Sequence, residues 1–90
     1  MPRYCVEREF PNGLNALTDD ADFESVRKYI ANNLDEGVTW LHSYITPDCR
    51  RSLCICDAPT PEAIRRASSR NKLPIKQIVE VLVLDPYSYR

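Results

Sequence analysis

V-T-W-L-H-S-Y-I-T-P-D-C-R-R-S-L-C-I-C-D-A, residues 38–58, decides the fold. Two runs rich in β-branched and aromatic residues flank the turn signal Pro47-Asp48, and that pattern is a β-hairpin. The hairpin holds the single Trp, the single His and three of the four Cys of the chain. Whatever site the protein carries is expected there.

Outward from the hairpin, the chain reads as four strands and two helices. Arg3 to Glu9 alternates, with Tyr4, Val6 and Arg8 on one face and Cys5, Glu7 and Glu9 on the other. Pro11-Asn12-Gly13 ends that strand. Thr18 is placed to cap a helix, with Asp19, Asp20 and Asp22 in the first turn, where the helix dipole favours carboxylates. Phe23, Val26, Ile30 and Leu34 recur at helical spacing and predict its buried stripe. The helix should end near Asn32-Asn33, with Gly37 turning the chain into the hairpin. Beyond the hairpin, Thr60 caps, Pro61 takes the first helical position and Glu62 meets the dipole of a second helix running to about Arg70. Its Arg65, Arg66, Arg70 and Lys72 form a basic stripe that reads as a solvated face. Gln77 to Leu84 has almost no polar break, the pattern of a strand covered on both sides. The order β-α-β-β-α-β predicts an α+β fold, the ferredoxin-like split βαβ sandwich. Its four-stranded antiparallel sheet has strand order 4-1-3-2, with both helices on one face.

Ninety residues bound the chain to one domain, 1–90. At 43% hydrophobic it supports one modest core that a partner would enlarge. A net charge of −1, with both signs mixed along the chain, points away from nucleic acid and from an anionic membrane surface. No apolar run approaches the roughly 20 residues of a membrane span. The charged start M-P-R-Y-C-V-E-R-E-F lacks a signal peptide's apolar core, so the expected compartment is the cytoplasm, with thiols reduced. The cysteines form no C-x-x-C zinc spacing, since Cys54-Ile55-Cys56 is one residue too tight.

Alternation assigns a side to each strand residue. Leu41, Ile45, Leu53, Ile55, Val6, Val79, Val81 and Val83 are the expected helix-facing set. The opposite face then carries Cys5, Glu7, Trp40, His42, Tyr44, Cys54, Cys56, Ile78, Glu80, Leu82 and Leu84. That face is too apolar and aromatic to stay open to water, which predicts a homodimer through the open sheet face, a dimeric α+β barrel. Strand order lines up Glu80, Glu7, Cys54 or Cys56, and His42 in a row, with neighbours ~5 Å apart at Cβ. Imidazole with thiolate suits a divalent transition metal such as nickel, zinc or copper. Hence His42, Glu7, Cys54 and Cys56 are the candidate metal ligands, with Trp40, Tyr44 and Glu80 as further ligand-binding candidates. Glu7 beside Glu80 would have one carboxyl pKa raised by repulsion, which also suits a proton-transfer enzyme. A third reading makes Glu7 a hydrogen-bond partner of Tyr44 or His42 that only fixes dimer register.

Y-C-V-E-R-E-F-P, V-T-W-L-H-S-Y-I-T, L-C-I-C-D-A with P-T-P-E-A-I-R-R-A, and I-V-E-V-L-V-L-D-P, in this order, span nearly the whole chain. In them the chain resembles a family of small bacterial nickel-binding, nickel-responsive ferredoxin-like proteins. The resemblance implies a homodimer and binding of Ni²⁺ near the dimer surface. The same dimeric barrel architecture also hosts small enzymes, so a small-molecule ligand or a proton-transfer reaction using Glu7, His42 and Tyr44 stands as the alternative.

Overall fold

The computed structural model describes residues 1–14 and 22–89. Four strands and two helices follow in the order β1 (Arg3–Glu9), α1 (Asp22–Asp35), β2 (Thr39–Ile45), β3 (Arg51–Asp57), α2 (Pro61–Arg70) and β4 (Gln77–Val81). A short 3₁₀ turn, Pro86–Tyr89, ends the chain. The sheet is antiparallel with order β2-β3-β1-β4. Tyr29 and Asn33 of α1 and Ile64 and Ser68 of α2 meet Val6, Cys54 and Cys56 of the sheet, so both helices cover one side of it.

Helix ends are made by local chemistry. Thr60 Oγ1 accepts from the Ala63 N–H at 3.2 Å, and Pro61 opens α2 where a missing donor costs nothing. Both helices end in the same six-to-one and five-to-two bonding pattern. Val38 N–H reaches Asn33 O at 2.8 Å and Gly37 N–H reaches Leu34 O at 3.0 Å. Leu73 N–H reaches Ser68 O at 2.9 Å and Lys72 N–H reaches Ser69 O at 3.1 Å. The motif needs a left-handed residue at its turn, filled by Gly37 (φ +76°) in one case and by Lys72 (φ +56°) in the other. The expected Thr18 cap and the acidic residues Asp19 and Asp20 lie outside the described residues.

The buried core is thin: Tyr4, Val6, Val38, Cys56, Ala58, Ala63, Ile64 and Ala67, with Cys54, Ile75 and Ile78 partly buried against it. Among the described residues only Val6 and Ile64 are large side chains fully removed from water. Each such side chain contributes about 1.5–3 kcal/mol, so this core is small for a domain of this length.

The face assignment differs from the sequence expectation. Across β1 and β3, Tyr4 pairs with Cys56, Val6 with Cys54 and Arg8 with Ser52, and these point at the helices. Cys5 pairs with Ile55 and Glu7 with Leu53, and these point away. Leu53 and Ile55 are therefore on the open side, and Cys54 and Cys56 on the helix side, the reverse of the expectation. The cause lies on the inner face, where Arg8 and Ser52 are buried polar residues, so apolarity misreports which side is inward. On β4, Val79 pairs with Cys5 and Val81 with Arg3 on the open face, whereas Ile78 and Glu80 sit opposite Val6 and Tyr4. β4 stops at Val81, short of Leu84, because the β1 residue opposite Val81 is Arg3, the first of that strand. Leu82, Val83 and Leu84 are left exposed.

A bulge resets the alternation in β2. Trp40 pairs with Cys56, but His42, not Leu41, pairs with Ile55. The extra residue puts Trp40, Ser43 and Ile45 on the helix side and His42 and Tyr44 on the open side. Helix α1 runs to Asp35 and turns Val26, Tyr29 and Asn33 inward. Phe23 and Leu34, expected in the buried stripe, are 67% and 59% exposed. Arg66 and Arg70 are not simply solvated: Arg66 Nε meets Glu36 Oε2 at 2.9 Å and Arg70 Nη2 meets Asp35 Oδ2 at 3.1 Å, tying α2 to the end of α1.

Candidate functional site

The open sheet face is built from two rows of paired residues. One reads Val79, Cys5, Ile55, His42 across β4, β1, β3 and β2; the next reads Gln77, Glu7, Leu53, Tyr44. The His42 and Tyr44 rings meet edge to face, 5.2 Å between centroids at 83°. His42 is exposed, and so are Leu41, Tyr44, Leu53 and Val79 around it. Glu7 is already engaged: its Oε1 accepts from Arg51 Nη2 at 2.9 Å, with Lys76 Nζ at 3.9 Å.

The candidate residues from the sequence therefore divide. His42, Glu7 and Tyr44 share the open face. Cys54, Cys56 and Trp40 are on the opposite face under the helices, and Glu80 lies beside Tyr4 at the sheet edge. The expected row Glu80, Glu7, Cys54 or Cys56, His42 is not formed, because a one-residue difference in facing sends a side chain to the other side of the sheet. The expected Glu7–Glu80 repulsion is absent too, since Glu7 sits opposite Gln77. Among the described residues no three of His, Cys, Asp and Glu converge as a metal site.

Two of the thiols, Cys56 and Cys5, are tuned against ligation. Cys56 is pushed up to about 11, mainly by burial and then by the neighbouring Cys54; the Arg8 guanidinium opposes this and loses. Cys5 is raised by burial first, then by Cys54 and Glu7. A metal binding either sulfur must first displace a proton held more firmly than usual. Within one chain these residues do not make a nickel centre: the imidazole stands apart, the carboxylate is ion-paired and the thiols are protonated or on the far face.

The sequence reading passed over two residues. Cys5 lies in the His42 row, on the correct side for it, in the place where strand alternation alone puts Cys54 or Cys56. Arg8 is 7% exposed under the helices. Its signal was its position two residues beyond Val6, which puts a cation on the core side of β1.

Four antiparallel strands with two helices on one face make an α+β sandwich compatible with the ferredoxin-like fold. Within that class the chain belongs to the nickel responsive protein SCO4226-like family, whose model matches residues 4–81. The crystal structure of SCO4226 from Streptomyces coelicolor A3(2) has the same fold: TM-score 0.72 at 20% identity, covering 92% of this chain and 99% of that one. No curated protein matches the chain.

Proposed function

We propose that two copies of this chain pair through the open sheet face and that the pair binds nickel, with one His42 from each copy as the anchor. The observation that carries this reading is the composition of that face: Tyr44, Leu53 and Val79 are exposed beside a solvent-accessible imidazole. An apolar patch of this kind on a thin-cored domain is a surface that association stabilises. The family's description as nickel responsive supports the choice of metal. The lack of a three-donor cluster among the described residues of one chain supports a site completed by a second copy.

Two copies placed face to face bring a second His42 and a second Cys5 to the same surface. Nickel favours imidazole over carboxylate, so His42 contributes most and Glu7 least, being held by Arg51. Cys54 and Cys56 are assigned to packing in this reading. The proposed role is sequestration or sensing of Ni²⁺ in the cytoplasm. Among the described residues no helix is long and apolar enough to cross a membrane. A proton-transfer enzyme using Glu7, His42 and Tyr44 has less support, because its carboxylate is held by Arg51 and sits opposite Gln77 rather than Glu80.

Calorimetry with Ni²⁺ combined with sedimentation tests the reading. Wild-type protein should sediment as a dimer and bind Ni²⁺ in preference to Zn²⁺. His42→Ala should remain dimeric and lose stoichiometric binding, and Leu53→Lys should give monomers that bind at least tenfold more weakly. Unchanged Ni²⁺ binding by His42→Ala would sink the site.

A further inference from the structure

The second feature of the molecule lies on the other side of the sheet. Two adjoining cavities, each of about 50 Å³, sit between the helices and the strands. They share Arg8, Tyr29, Trp40, Cys54 and Leu73 as walls. Arg8 is 7% exposed, and its Nε is buried with no hydrogen-bond partner. Its Nη1 donates to Pro74 O at 2.9 Å, a neutral carbonyl. Among the described residues no carboxylate forms an ion pair with it.

A guanidinium cannot shed its proton at any ordinary pH, so burial does not neutralise it. A buried cation without a counter-charge is among the costlier things a fold can hold. A chain with a core this thin keeps such a group where something meets it. The Cys56 thiol nearby does not, because it stays protonated.

We propose that the Arg8 cavity is a binding site for a small monocarboxylate with an apolar body, its carboxylate accepting from the Arg8 guanidinium and its carbon chain lying against Trp40, Tyr29 and Leu73. Size and lining select this ligand class. A cavity of about 50 Å³ has room for a few water molecules, which is the room a carboxylate head needs. The second cavity adds as much again beside Val26, Phe10 and Ile45, a setting for a few methylenes. One guanidinium with apolar neighbours balances a single negative charge. A phosphate dianion would be left half-compensated, and a neutral molecule would leave the cation as it is. The site is independent of the nickel reading, using the opposite face of the sheet and none of His42, Glu7 or Cys5.

Trp40 is the single tryptophan and lines both cavities, so its fluorescence reports occupancy. Metal-free full-length protein is titrated with sodium hexanoate, hexanamide and inorganic phosphate at constant ionic strength. Hexanoate should change Trp40 emission saturably, and hexanamide should bind at least tenfold more weakly. Arg8→Gln should lose at least tenfold in hexanoate affinity; if that variant does not fold, Leu73→Phe fills the cavity while leaving the charge and the single indole in place, and should abolish the Trp40 response at 295 nm excitation. Equal affinity for hexanoate and hexanamide overturns the proposal, because the guanidinium then plays no part. Saturation by phosphate in place of hexanoate overturns the ligand class, and no response to hexanoate overturns the site. None of these outcomes bears on Ni²⁺ binding.

Discussion

The indole Nε1 of Trp40 donates to Ser43 Oγ at 2.9 Å. In an unbroken strand, side chains three residues apart point to opposite faces and cannot touch. They meet here because the bulge between Trp40 and His42 advances the alternation by one residue. One hydrogen bond therefore marks the point where β2 changes phase. It also separates the chain's two candidate sites, turning Trp40 into the cavity beside Arg8 and His42 to the open face.

Removing the acceptor should be felt as lost stability. Ser43→Ala leaves a half-buried indole N–H unpaired, at about 1 kcal/mol. That corresponds to a fall in Tm of roughly 4–8 °C for a domain of this size. Ser43→Thr keeps an acceptor at the same place and should recover most of the loss. Thermal melts of the three proteins check this, and equal Tm values for Ser43→Ala and wild type would show that the bond does not hold the bulge.

The elements were legible because their signals are local. Thr60-Pro61-Glu62 starts α2 by capping and dipole chemistry alone, and the alternation of Arg3–Glu9 marks a strand wherever it lies. The faces were not legible because they depend on what crosses the sheet. Leu53 and Ile55 are more apolar than Ser52 and Cys54, yet Ser52 and Cys54 face the helices, since the register pairs them with Arg8 and Val6 on the inner side of β1. Likewise Phe23, Val26, Ile30 and Leu34 make a better apolar stripe than Val26, Tyr29 and Asn33, which share only Val26 with it. The helix turns the second set inward, roughly 100° around its axis, where Asn71 Nδ2 reaches Asn33 Oδ1 at 3.4 Å and Tyr29 O at 3.5 Å. The bulge at Leu41 has no glycine to announce it. The candidate metal ligands inherited these errors of facing, and His42 and Glu7 were placed together only because neither depended on the phase of β3.

Acid should weaken the fold through its sheet-edge carboxylates. Arg3 Nε and Nη2 both donate to Asp57, at 2.8 and 3.2 Å, and this fork holds the Asp57 carboxyl below the usual range. Lys76 does the same for Glu9, and the Thr46 hydroxyl with the Arg50 N–H does it for Asp48. A depressed folded-state pKa means that the unfolded chain takes up the proton first. The stabilisation is therefore whole above the ordinary carboxylate values of about 4 and is lost as pH falls below them. Urea midpoints at pH 7, 4 and 3 should decline on that limb, and Asp57→Asn should flatten it. All these carboxylates are on the surface, so 0.5 M salt should flatten it as well.

Alkali should weaken the fold through Cys56, with the opposite sign of linkage. Its thiol is pushed up to about 11 by burial and by Cys54, so the folded chain holds the proton that the unfolded chain releases. Stability from this group is complete below about pH 8.5, the ordinary thiol value, and drains away as pH rises towards 11. Tyr4, raised by burial and then by Glu80 and Glu62, adds a loss of the same sign. Cys56→Ala should shift the alkaline limb to higher pH relative to its own stability at pH 8. Native protein treated with iodoacetamide at pH 8 should label Cys49 and spare Cys56, read by peptide mass; equal labelling would contradict the raised thiol.

The two helix ends offer a stabilising change. Both use the same terminal motif, and both need a residue in the left-handed region. Gly37 adopts it freely at φ +76°, whereas Lys72 holds φ +56° with a Cβ pressed towards its own carbonyl. The Lys72 side chain is exposed and makes no ion pair among the described residues, so nothing is lost with it. Lys72→Gly removes the strain but also loosens the unfolded chain, and the two effects oppose each other. Relief of about 1–2 kcal/mol exceeds the entropic loss of roughly 0.5–1 kcal/mol, so the variant should gain about 0.5–1 kcal/mol in denaturant unfolding. The mirror experiment, Gly37→Ala, puts a Cβ into the left-handed region and should cost about 1 kcal/mol or more. Pro59 is 3.8 Å from that Cβ position, ordinary contact distance, so the cost isolates the backbone conformation from any clash. A gain at residue 72 with a loss at residue 37 is the signature of one motif filled by two unequal residues; a loss at both would mean that the Lys72 backbone is not strained.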